Sequence, residues 1–161
     1  MARFTHYKGS VLEHDIDVML EYEGGVPGAM WASQIASGND CGVCVRVYGD
    51  KGAIEWRHTQ PMEIKYTPLA KPTRTIVANR EYNDAACTEQ CRLPAGHPEG
   101  FYEAFGNIYH SFCIHLLARK TGGDPGTFRH PTIEEGIAGL RFVDACVKSD
   151  KQGNAWVSLY E

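Results

Sequence analysis

The chain has 161 residues and a formal net charge of −4, with 43% hydrophobic and 22% charged residues. That balance excludes a disordered tail, a collagen-like repeat and a coiled coil, and the length suits a single domain over residues 1–161. A sequence pI near 6.0 without a Lys/Arg cluster argues against a nucleic-acid surface, and no apolar run is long enough for a membrane span.

The opening residues, Met1 to Lys8, lack the apolar core of a signal peptide, so a cytoplasmic protein with reduced cysteines is expected. Ile16, Val18, Leu20 and Tyr22 alternate with Asp17, Met19 and Glu21, the period of a strand with one buried face. Gly24, Gly25, Pro27 and Gly28 then supply a reversal, and residues 29–36 read as the returning strand. Val43, Val45 and Val47 alternate again, and a tight turn at Gly49, Asp50, Lys51 and Gly52 leads into Ala53, Ile54, Glu55 and Trp56. Further strands are expected around Met62, Ile64 and Tyr66 and over residues 73–78, all antiparallel because the links are short.

Residues 79–96 follow neither period and read as a loop. From Pro98, placed in a helical first turn, Phe101, Phe105, Ile108, Phe112 and Leu116 fall three or four apart and predict a helix to about Arg119. Residues 121–126 interrupt it. Thr132 with Glu135 then forms a capping box for a second helix carrying Ile133, Ile137, Leu140, Val143 and Val147, and Trp156 to Tyr160 reads as a last strand. The expected class is α+β: a mostly antiparallel open sheet with two long helices packed on one face. Met19, Met30, Cys44, Tyr48 and Trp56 put large groups on both sides of the strands. A second subunit is therefore expected on the open face, with Tyr48 and Trp56 as anchors, giving a homodimer or higher even oligomer. A one-residue slip of register is the alternative, since it would exchange every inward and outward side chain.

No Gly-x-Gly-x-x-Gly turn, Walker loop or Gly-x-Ser-x-Gly is present, so no cofactor site and no catalytic residue are expected in the isolated chain. Cys41, Cys44, Cys87 and Cys91 suggest a four-thiolate zinc site. The spacing weakens it, because Cys44 lies in a strand and three residues separate the second pair. Glu13, His14, Asp15 and Asp17 read as a solvated edge, His110 and His115 are five apart on a helix, and Trp31 with Gln34 could face a sugar. The densest chemistry is Arg92, His97 and Glu99, a cation, an imidazole and a carboxylate where a loop meets a helix, suited to binding a sugar or polyol. Each also has a structural use: His97 as a cap, Glu99 against the helix dipole, Arg92 in a surface ion pair.

The order Val47 Tyr48 Gly49 Asp50 Lys51 Gly52 Ala53 Ile54 Glu55 Trp56, then Arg92 Leu93 Pro94 Ala95 Gly96 His97 Pro98 Glu99 Gly100 Phe101, resembles the C-terminal domain of the Gfo/Idh/MocA oxidoreductases. The later His130 Pro131 Thr132, Phe142 Val143 and Trp156 Val157 Ser158 Leu159 are similar to that domain's last helix and strand. The resemblance runs from about Asp15 to Leu159, and the Gly96 to Gly100 block is typical of a sugar-handling branch. It implies a two-domain parent whose Rossmann domain binds NAD or NADP and supplies a Glu-Lys-Pro lysine, with an Asp and His pair on an earlier helix. This sequence carries none of these. The implied role is a substrate-side and oligomerisation domain of a sugar or cyclitol oxidoreductase, inert in redox chemistry alone. The alternative is a stand-alone, non-catalytic binding or scaffold module.

Overall fold

The computed structural model describes residues 1–124, 126 and 130–160. Its contacts group the chain into two compact units, Met1–Asn39 with Pro131–Glu161, and Asp40–His130. The class is α+β, with antiparallel strands and two long helices, as expected. The strands are divided between a three-stranded and a four-stranded sheet.

In the first unit, β1 (Ala2–Thr5), β2 (Asp15–Glu21) and β3 (Pro27–Ser33) form a sheet in that order. Strand β1 was not foreseen: with only Ala2 and Phe4 alternating against Arg3 and Thr5, its period is too short to register. The β2–β3 reversal contains a short 3₁₀ turn with Gly24 and Gly25 at positive φ. The sheet's inner face presents Ala2, Val18, Phe4, Ile16, Leu20 and Met30 to Cys146 and Phe142 of a long helix, Ile133–Lys151. That helix, α3 by chain order, starts at the expected capping box: Thr132 Oγ1 accepts from Glu135 N (3.2 Å), and Glu135 Oε2 accepts from Thr132 N (2.7 Å).

The stripe expected to pack does not. Ile133 and Leu140 are about three-quarters exposed, whereas Ala145, Cys146 and Ser149, on the opposite side of α3, are buried. Ser149 Oγ accepts from Ala2 N (2.7 Å) and donates to Ala155 O (2.6 Å), and Asp150 Oδ1 accepts from Phe4 N (2.9 Å). Those amides point away from β2, so α3 closes the outer edge of β1. The residues after α3 continue without the strand expected over 156–160; Ala155 O is taken by Ser149 Oγ.

In the second unit, β4 (Cys44–Gly49), β5 (Gly52–Arg57), β6 (Glu63–Pro68) and β7 (Arg74–Val77) make a four-stranded meander. The β4–β5 hairpin requires Gly52: its φ is 149°, and a Cβ there would lie 2.9 Å from Pro68 Cα. Within residues 79–96, Ala85–Thr88 forms a one-turn helix, α1, capped by Asp84 Oδ1 accepting from Cys87 N (2.9 Å). Helix α2 (Phe101–Thr121) begins three residues after Pro98, since Gly100 is the N-cap, and it ends in left-handed Gly122. Of the interruption expected over 121–126, Pro125 lies outside the described residues. On α2 the less exposed positions are Glu103, Asn107, Ser111, His115 and Ala118, whereas the Phe101 to Leu116 stripe remains exposed.

Replacing Ser149 with Ala would strip the partner from a buried Ala2 amide. The expected cost is about 1–3 kcal/mol of unfolding free energy, read as a lower urea midpoint at unchanged slope. A wild-type midpoint would show that the hydroxyl is not needed at this junction.

Candidate functional site

A glutamate preceding α2 organises the loop singled out from the sequence. Glu99 is 8% exposed, and its carboxylate accepts from Arg92 N through Oε1 (3.0 Å) and Oε2 (2.9 Å), with Oε1 also accepting from Leu93 N (2.9 Å). A charge with so little water contact is tolerated because backbone donors replace the lost hydration. The polypeptide from 92 to 99 is thereby drawn into a closed loop. Asn79 Nδ2 donates to Leu93 O (2.8 Å), and Asn107 Nδ2 of α2 donates to Gln90 O (2.7 Å), fixing the loop on two further sides.

The loop brings the three expected residues together in different roles. Glu99 points inward and is spent on the backbone. Arg92 is exposed and its Nε donates to Asn107 Oδ1 (2.5 Å), which leaves its terminal nitrogens facing outward. His97 is exposed, with Nδ1 3.0 Å from Pro94 O; a donor at Nδ1 makes Nε2 an acceptor in the neutral ring. Asn79 and Asn107, which set this geometry, were missed. A lone amide such as Asn107 on a helix gives no periodic signal.

The start of α2 is held by aromatic contacts. Trp56 stacks on His58 (centroids 6.2 Å), His58 on Phe101 (5.9 Å), and Phe101 lies 4.8 Å from Phe105. Trp56 Nε1 donates to Pro61 O (3.0 Å). At the N-cap, Gly100 N donates to Glu103 Oε2 (2.8 Å), and this bond holds the Glu103 carboxyl below its ordinary pKa. Nearby, burial followed by the Glu99 charge pushes the Cys91 thiol up, the reverse of what a nucleophilic cysteine needs.

Tyr48 and Trp56 lie on opposite faces of the second sheet: Tyr48 is paired with Ala53 and Trp56 with Val45. The Trp56 face carries Val45, Val47, Ile54, Ile64 and Ile76, all exposed. The Tyr48 face carries Glu55, which accepts from Arg57 Nε (2.8 Å) and Arg46 Nε (2.9 Å); the Arg57 bond, then the Arg46 bond, lowers its pKa. A basin of about 440 Å³ lies on the first unit's sheet. All six cysteines are free thiols, and among the described residues no three His, Cys, Asp or Glu converge as metal ligands. No described helix is long and apolar enough to cross a membrane.

A dinucleotide does not fit this chain's glycine turns. Gly24, Gly25 and Gly28 lead into β3, and Gly49 and Gly52 into β5, whereas a pyrophosphate cradle requires a turn between a strand and a helix; Gly96 and Gly100 do precede α2, but their loop follows α1 and lacks the Gly-x-Gly-x-x-Gly spacing.

The sequence pattern of the oxidoreductase family, C-terminal alpha/beta domain, matches residues 2–159. An uncharacterized oxidoreductase of Bacillus subtilis (strain 168), YfiI, is 37% identical over 150 residues, covering 92% of this chain and 38% of its own. A solved oxidoreductase from Sinorhizobium meliloti is 36% identical with a TM-score of 0.88, covering 98% of this chain and 45% of that one. An inositol dehydrogenase homolog from Azotobacter vinelandii, complexed with NAD+, is 30% identical with a TM-score of 0.92, covering 98% and 42%. The chain thus spans less than half the length of each of these relatives.

Glu99→Gln would set an amide donor against a backbone N–H. We expect a loss of about 1–3 kcal/mol and faster hydrogen exchange at the Arg92 and Leu93 amides, and unchanged exchange would contradict the clamp. For Glu103, the depressed folded pKa means that its stabilisation is present above the unfolded value of about 4.3 and is lost as pH falls through the folded one. Acid unfolding of Glu103→Gln should therefore be less steep than that of the parent; superimposable pH profiles would remove the N-cap bond from the account.

Proposed function

This chain belongs to the Gfo/Idh/MocA oxidoreductase family through its C-terminal alpha/beta domain, and we propose that it serves as the substrate-side and oligomerisation domain of an NAD(P)-dependent sugar or cyclitol oxidoreductase. The observation that carries the reading is the Glu99 clamp: it holds a guanidinium and an imidazole in fixed, outward positions beside the start of α2. Such a pair suits a hydroxyl-rich ligand. Arg92 donates to ring oxygens, while His97 either accepts from or donates to a hydroxyl according to its protonation. Binding geometry of this kind improves affinity by reducing the ordering cost on association. An Azotobacter vinelandii inositol dehydrogenase homolog, solved with NADH and myo-inositol, is 30% identical and supports a cyclitol as one substrate class.

The redox step is assigned to the parent protein. In this reading NAD or NADP would be held by a Rossmann domain, and the present residues orient substrate and exclude water. Uncovered apolar stripes on α2 and α3 support a further layer of protein in the full-length form, as does coverage of less than half of each relative. A stand-alone, non-catalytic binding or scaffold module is the second reading. Six free thiols suit a reducing, cytoplasmic setting.

The oligomer is proposed to form through the Val45, Val47, Ile54, Ile64 and Ile76 face. A flat apolar patch across four strands can approach the ~800 Å² per partner of a standard interface, and a two-fold axis lets it cover itself. Trp56 would border that contact and Tyr48, on the other face, would not.

Arg92→Ala and His97→Ala should each abolish calorimetric binding of myo-inositol while shifting the melting temperature little; retained binding would remove the substrate role. Light scattering should give twice 17.9 kDa or a larger even multiple. Val47→Lys should yield monomers, and an unchanged mass in that variant would place the contact elsewhere.

A further inference from the structure

Two thiols stand beside the loop that Glu99 closes. Cys87 lies in α1 and Cys91 one turn beyond it, both half-buried and free. Gln90 N donates to Cys87 O and Cys91 N to Thr88 O, each at 3.1 Å, so the turn continues through both residues. In helical geometry, residues four apart have Cα atoms about 6 Å from each other, inside the span of roughly 4.4–6.8 Å that a disulfide bridges. Cys91 Sγ already lies 3.5 Å from Cys87 O. Among the described residues no group of three His, Cys, Asp or Glu includes the pair, which leaves two neighbouring thiols rather than a closed metal site.

The pair sits where the chain enters the Glu99 clamp. Cys91 directly precedes Arg92, whose amide donates to both Glu99 oxygens (3.0 and 2.9 Å). Burial, then the Glu99 charge, then the neighbouring Cys87 push the Cys91 thiol above its ordinary pKa. That divides the roles of the two sulfurs, since a thiol is nucleophilic only as the thiolate and Cys91 resists ionisation. A dithiol whose thiolate is disfavoured also holds its disulfide more firmly against reduction.

We propose that Cys87 and Cys91 form a redox-modification site, converted to an intramolecular disulfide by low-molecular-weight disulfides such as oxidised glutathione. The Cys87 thiolate attacks one sulfur of the small disulfide, whose S–S bond breaks as one small thiolate leaves. Cys91, giving its proton to solvent, then displaces the second small thiolate from the Cys87 sulfur. The two protein sulfurs together lose two electrons, the small disulfide gains them, and two small thiols are released once protonated. The ring so closed covers residues 87–91 and restrains the chain at the mouth of the clamp. Fewer open conformations remain to Arg92 and Leu93, so the oxidised loop is the tighter one. The site rests on the Glu99 hydrogen bonds and stands independently of the substrate role given to Arg92 and His97.

The test incubates the full chain in millimolar glutathione at rising oxidised-to-reduced ratios, followed by acid quenching, alkylation and tryptic mass mapping. Cleavage after Arg80 and Arg92 yields one peptide, residues 81–92, that carries both cysteines. That peptide should become two hydrogens lighter and resist alkylation, and exchange at the Arg92 and Leu93 amides should slow roughly tenfold on oxidation. In Cys91→Ser, Cys87 should retain one glutathione; in Cys87→Ser, glutathione should reach Cys91 more slowly. The proposal is overturned if the wild-type peptide stays reduced, carries two separate glutathiones or pairs with a different cysteine peptide. Ring closure with unchanged or faster amide exchange overturns it equally, and equal glutathionylation rates in the two serine variants overturn the order of attack. The wild-type mass and exchange decide the matter even if a serine variant fails to fold.

Discussion

The hydroxyl of Ser149 joins parts of the chain that are far apart in sequence, and the first unit depends on that junction. Residues 1–39 and 131–161 meet there, with ninety-one residues of the second unit emitted between them. Oγ accepts from Ala2 N and donates to Ala155 O, so one buried atom engages β1, α3 and the chain beyond α3. The apolar contribution is small: Ala2, Val18 and Cys146 are the buried members of the cluster. With so little apolar area, satisfying every polar group at the junction matters more than it would beneath a large core. Cys146 fits this setting as a compact hydrophobe, its thiol pushed up in pKa by burial.

The second unit meets a similar problem with the charge reversed in role. Glu99 is a buried anion, and in place of a cation it collects the Arg92 and Leu93 amides. Pairing it with the Arg92 guanidinium would have drawn that side chain inward. Use of backbone donors leaves Arg92 outward, steadied by Asn107. The structural and functional readings of this glutamate therefore converge: its burial is what makes its neighbours available.

How much of this was legible in the sequence varied with the length of the signal. Strands β2, β4 and β5 begin within a residue of where alternation places them, because one-sided burial imposes a period of two. The Thr132 and Glu135 cap was readable because both halves of the motif are local. The faces of α2 and α3 were not. Helical spacing identifies an apolar stripe but carries no information about which layer covers it, and Ile133 and Leu140 turn away from β1. Arg92, His97 and Glu99 were found as a cluster by chemical type, whereas the inward turn of Glu99 depends on Arg92 and Leu93 adopting a conformation that presents both amides to one point. Two periodic strands also left open which residues share a face across a hairpin, and the register separates Tyr48 from Trp56.

Closure of the β1 edge also limits how the first sheet can grow. Ser149 and Asp150 occupy the amides that an incoming strand would need at Ala2 and Phe4. Among the described residues no further strand pairs with β3, so within this sheet that is the remaining margin. Two such sheets can pair margin to margin once, and each then presents only a sealed border, so this sheet cannot template an endless ribbon of like copies. A helix terminus thus acts as a stop against fibrillar self-assembly, a duty carried out by a side chain and not by a charge or a proline on the strand itself.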